Sequence, residues 1–103
     1  MAYEFGNFDT ALAAAAGNDA AMAMELRRGY AESIAQHVDL LSRARCDANW
    51  VTAAARLRSL AAGFHDDGLM ELAQAALMGA PGEPTIVRDI ENHLRELRGS
   101  LPD

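Results

Sequence analysis

With 103 residues, half of them apolar, the chain has room for a single domain, residues 1–103, built on one hydrophobic core. A formal net charge of −6 argues against a nucleic-acid partner, because phosphate binding rests on clustered cations. The single cysteine, Cys46, leaves no partner for an intrachain disulfide and fits a reducing cytoplasm, and no apolar run approaches the roughly 20 residues of a membrane span.

The composition is that of an all-α protein: long stretches free of Pro and Gly, rich in Ala and Leu and poor in β-branched residues. All nine basic residues are arginine, which reads as a compositional bias. A short first helix is expected over about residues 8–16, punctuated by Gly17. Its ALAAAAG stretch follows Glu4 and Asp9 and lacks the basic start of a signal peptide.

Asn18 or Asp19 is placed to cap a long second helix to about Arg45, near 40 Å at 1.5 Å per residue. Its expected buried stripe is Met22, Leu26, Tyr30, Ile34, Val38 and Leu41. A turn at Cys46–Asn49 leads to a third helix over about 48–64, interrupted at His65-Asp66-Asp67-Gly68. Asp66 or Asp67 then caps a fourth helix ending near Met78. The loop GAPGEP precedes a last helix that starts at Pro84, buries Ile86, Ile90, Leu94 and Leu97, and frays by Gly99. Connections this short favour antiparallel neighbours, hence an up-down four-helix bundle with a small extra N-terminal helix.

The third helix has two faces. At 100° per residue, Trp50, Ala54, Leu57, Ala61 and Phe64 share one sector with Ala53 and Leu60 beside it, the core side. Val51, Thr52, Ala55, Ser59 and Ala62 lie opposite, flanked by Arg58. A solvated face ordinarily carries Glu, Lys or Gln. Small apolar residues there are compatible with plain surface and equally with a smooth docking patch on a basic rim.

The run Ala55, Arg56, Leu57, Arg58, Ser59, Leu60, Ala61, Ala62, Gly63, Phe64 and His65 resembles the motif of the histidine-containing phosphotransfer (HPt) family. That motif runs His, any residue, Leu, Lys, Gly, then small residues, an aromatic or Leu, and Gly. Leu57, Ala61 and Phe64 match as packing residues and Arg58 stands at the basic position. Tyr30 falls where the family has a long-helix Phe, and Leu69 to Leu77 fits the helix after the motif. The resemblance covers about residues 19–78 and implies the same four-helix bundle with an extra N-terminal helix.

It also implies a departure in chemistry. The family's neutral imidazole attacks a phosphoryl group on a receiver-domain aspartate. Ala55 at that position has no lone pair, and Ser59 replaces the Gly that clears space for the ring. The resemblance therefore implies a pseudo-phosphotransfer module without catalytic residues or cofactor. Its partner would be a response-regulator receiver domain or a histidine kinase, met through Val51, Ala55, Arg56, Arg58, Ser59 and Ala62. The expected state is a monomer rather than a homodimer.

Other chemistry finds little support. His65 is the first candidate for a substitute nucleophile in an active phosphotransfer protein, but it stands beside Asp66 and Asp67, which repel phosphate. His37 and His93 sit at the borders of apolar stripes and read as amphipathic boundary residues. No histidine pair has metal-ligand spacing and Cys46 has no nearby partner, so no metal site is expected. Trp50, on the core stripe, is expected to pack and to find a hydrogen-bond acceptor near the bundle end. Met22, Met24, Met70 and Met78 are expected in the core. Arg27-Arg28 and Arg43-Arg45 read as solvated parts of the long helix. A helical interaction module or homodimer outside phosphorelays is the remaining alternative.

Overall fold

Capping chemistry sets most of the helix boundaries. A computed structural model of the protein describes residues 5–99. Among these lie five α-helices and no strands: α1 (Gly6–Ala15), α2 (Ala20–Ser42), α3 (Asp47–Gly63), α4 (Asp67–Met78) and α5 (Pro84–Gly99). Asp19 caps α2 by accepting from the amides of Ala21 and Met22. Asp66 caps α4 by accepting from Leu69 N. Pro84 opens α5, where its missing N–H leaves no bond unmade.

α1 ends by bonding Gly17 N to Ala14 O and Asn18 N to Ala13 O, with Gly17 at φ +61°. This is a Schellman closure. α3 closes the same way, His65 N to Ala62 O and Asp66 N to Ala61 O, but the left-handed residue is His65 at φ +58°. The chain therefore turns after Gly63 rather than at it, and Asp66 is swung back beneath the helix end.

α2 packs against α3 and α5, α4 packs against α3 and α5, and α1 lies on α2. Trp50, in the first turn of α3, donates its indole N–H to Ala76 O near the end of α4 at 2.9 Å, so these two helices run in opposite directions. The core joins Phe8 and Leu12 of α1 to Tyr30, Ile34, Val38 and Leu41 of α2. Trp50, Leu57, Leu69, Ile90 and Leu97 complete it from α3, α4 and α5. No described helix is long and apolar enough to cross a membrane.

Several expectations are corrected. α2 stops at Ser42, three residues short of Arg45, and at 23 residues spans about 34 Å. Met22 is 46% exposed and Leu26 only half-buried against the core edge, so the stripe is fully buried only from Tyr30 onward. Met78 is 79% exposed, and Met24, Met70 and Ile86 are half-buried, so the methionines do not fill the core.

Arg27 is no solvated residue. Its side chain is 11% exposed, its Nη1 meets Asp9 Oδ1 at 2.6 Å, and its guanidinium lies 5.1 Å from the Phe8 ring centroid. The arginine thus clamps α1 onto α2 through one ion pair and two cation–π contacts, the second to the Phe5 ring at 5.8 Å.

Candidate functional site

The outer side of α3 carries the residues proposed for partner binding. Val51, Arg56, Arg58, Ser59 and Ala62 are exposed there, as is Thr52, whereas Ala55 is half-buried. Ala53, Ala54, Leu57 and Ala61 are all buried, which confirms the two-faced winding of this helix, with Phe64 and Leu60 half-buried at its edges. Ala55 sits at the margin of the face rather than at its apex.

The two arginines of the face lead in different directions. Arg58 Nη1 donates to Gln74 Oε1 at 2.7 Å and so bridges to α4. Arg56 turns toward α2 and lines two adjoining cavities. One, of about 370 Å³, lies among Leu40, Arg43, Ala44, Asn49, Thr52, Ala53 and Arg56. The other, of about 330 Å³, lies among His37, Arg56, Ser59 and Leu60. The rim is thus split, with one cation fixed against α4 and the other over the α2–α3 groove.

Each histidine has a distinct setting. His37 contacts Ser33 O through Nδ1 at 2.8 Å. A carbonyl only accepts, so Nδ1 carries the proton and Nε2 is the nitrogen that keeps a lone pair in the neutral ring. His65 is exposed in the left-handed turn. The carboxylates expected around it face elsewhere: Asp66 is buried and Asp67 accepts from Asn7 Nδ2 at 2.6 Å.

His93 departs most from expectation, since it is buried rather than at a boundary. Its Nε2 donates to Asp66, 2.9 Å from Oδ1 and 3.0 Å from Oδ2. Tyr30 Oη donates to Asp66 Oδ2 at 2.7 Å. Asp66, 1% exposed, thereby ties α2, the start of α4 and α5 together at one carboxylate while also capping α4. Aromatic rings enclose the group: Phe5 lies 5.0 Å from the His93 ring, and Phe8 and Phe64 lie 5.1 and 4.5 Å from Tyr30. Burial pushes the Tyr30 phenol well above its ordinary pKa, and the charge and hydrogen bond of Asp66 push it further.

This enclosed triad is structural in kind, since its acceptor oxygens and donors are turned on one another and away from solvent. The sequence carried one sign of it. His93 lies three residues after Ile90 and four before Leu97, both core residues, so a helical winding places it within the buried stripe. Among the described residues no group of three or more His, Cys, Asp or Glu could hold a metal ion.

Compared with protein-family models, with curated proteins and with solved structures, the chain gives no match.

Proposed function

We propose that the protein is a pseudo-phosphotransfer module of HPt type, which docks a receiver domain or a histidine kinase in the cytoplasm and carries no phosphate itself. One observation carries the reading. The outward side of α3 from Val51 to Ala62 is exposed, free of carboxylates, and rimmed by Arg56 and Arg58, and the position that would need an imidazole holds Ala55. The cyclic contacts of α2, α3, α4 and α5, with α1 accessory to α2, support an antiparallel up-down four-helix bundle behind that face. The contact residues are Val51, Ala55, Arg56, Arg58, Ser59 and Ala62.

In this reading Arg58 meets charge on the partner while held by Gln74, and the small side chains allow close approach of a flat partner surface. The test is a titration of the protein against a panel of receiver domains and kinase dimerisation domains, with a parallel incubation against receivers carrying labelled phosphoryl groups. Binding that Ser59→Glu or Ala62→Glu weakens, with no label on the protein, supports the proposal. Absence of binding to every partner sinks it. Acid-labile label on the protein that vanishes in His65→Ala would instead establish an active phosphotransfer protein. A stable dimer that hides Val51 and Ala62 would establish the homodimer alternative.

A further inference from the structure

We infer that the groove between α2 and α3 is a second recognition element, adjoining the outer face of α3, which takes an amphipathic helix with an apolar stripe flanked by carboxylates. Its floor is apolar, made by Leu40, Ala44, Ala53 and Leu60, and Leu40 is 46% exposed although α2 and α3 pack closely on either side. From His37 to Leu40 the groove follows α2, and Arg43 and Ala44 continue it just past the helix end at Ser42, a stretch of about two helical turns that suits a short docked helix.

Charge selects the occupant. In a protein of net charge −6, no Asp or Glu lines either of the two cavities, while Arg43 and Arg56 stand at their edges. Arg43 is already paired at 3.0 Å with Asp39 one turn earlier, whose carboxylate lines the cavity toward α5, so Arg56 is the cation left to meet an occupant. Arg56 has no ion-pair or hydrogen-bond partner among the described residues. An exposed cation over an apolar floor suits an acidic residue beside an apolar one. A free phosphate would find few donors on that floor, and a nucleic acid would meet the net negative charge of the whole.

The inference shares Arg56 and Ser59 with the docking face proposed above but does not depend on a phosphorelay partner. It is tested with a fluorescein-labelled 14-residue helical peptide bearing Leu at i, i+3, i+4 and i+7 flanked by Glu, and with a copy in which each Glu is Gln. Anisotropy titrations are run on the whole protein and on Arg56→Glu, Leu40→Ser and, as a control on α5, Arg88→Glu. Circular dichroism checks that each variant remains folded.

The expected result is saturable binding that weakens about five- to tenfold in Arg56→Glu, since reversal of one exposed charge changes affinity by that order. Leu40→Ser and the Gln peptide should weaken it comparably, 0.5 M salt severalfold, and Arg88→Glu not at all. The inference is overturned by absence of binding, by equal binding of the Gln peptide, or by equal weakening in Arg88→Glu. It is also overturned if sedimentation shows a dimer that Arg56→Glu and Leu40→Ser dissociate, because a second copy is then the occupant. Peptide binding with no receiver or kinase binding upholds the groove and removes the phosphorelay reading. Receiver binding that Ala62→Glu weakens, with no peptide binding, does the reverse.

Discussion

Tyr30→Phe should change how stability depends on alkaline pH, and the chain is well suited to show it because it contains no lysine. In the folded protein the phenol is buried and hydrogen-bonded at 2.7 Å to the Asp66 carboxylate, and its pKa is raised far above the usual value. In the unfolded chain it ionises near pH 10. Above that pH the unfolded state binds fewer protons than the folded state, so stability falls as pH rises. For one proton the slope is about 1.4 kcal/mol per pH unit. Below the unfolded pKa the contribution is present in full. At pH 7 Tyr30→Phe should cost about 1.5–3 kcal/mol, the worth of a hydrogen bond to a charged group.

Dividing one figure by the other, the two stability curves should meet about one to two units above pH 10. Urea unfolding from pH 7 to 12, with Cys46 alkylated in both proteins, measures this. Parallel curves, or a wild-type curve flat above pH 10, would refute the buried phenol–carboxylate bond.

Asp66→Ala removes the acceptor of both Tyr30 and His93 together with the α4 cap. It should cost about 3–5 kcal/mol in urea unfolding, as loss of one partner from a buried charged pair does; a cost under about 1 kcal/mol would deny it the role of hub. His65→Gly should raise stability by up to about 1 kcal/mol, because glycine takes the left-handed position without strain, and it should leave partner binding unchanged. Gly29→Ala, in the interior of α2 with nothing within 4 Å of the added methyl, should stabilise by about 0.4–1 kcal/mol in thermal or urea unfolding.

The parts of this fold legible in the sequence were those decided locally. Leu57 and Ala61 follow a helical period, Asp19 precedes a helix with a free side-chain oxygen, and Pro84 fits a first turn, so each announces its place without reference to distant residues. Arg27 did not, because its burial depends on Phe8 and Asp9 of another helix. His93 did so only in part: its spacing from Ile90 and Leu97 puts it on the stripe, but the acceptor a buried imidazole needs, Asp66, lies 27 residues away. Met22 satisfied the stripe spacing, yet periodicity gives the direction a side chain faces and not whether another helix covers it.

The same distinction governs the candidate site. Winding at 100° per residue placed Val51, Ser59 and Ala62 outward as observed, but gave no sign of how far the neighbouring helices wrap around Ala55. Ala55→Glu is accordingly a poor surface probe, and substitutions at Ser59 or Ala62 are better ones. The separation of Arg56 from Arg58 was likewise invisible, since it follows from Gln74 on one flank and the α2 groove on the other.

The central claim is that the outer face of α3 binds a phosphorelay protein without accepting phosphate. The direct measurement is a calorimetric titration with receiver and kinase domains, paired with incubation against a receiver carrying labelled aspartyl phosphate. The account predicts saturable binding that Ser59→Glu weakens, with all label remaining on the receiver or released as phosphate. Absence of binding across the panel, or label appearing on any histidine of this chain, would contradict it.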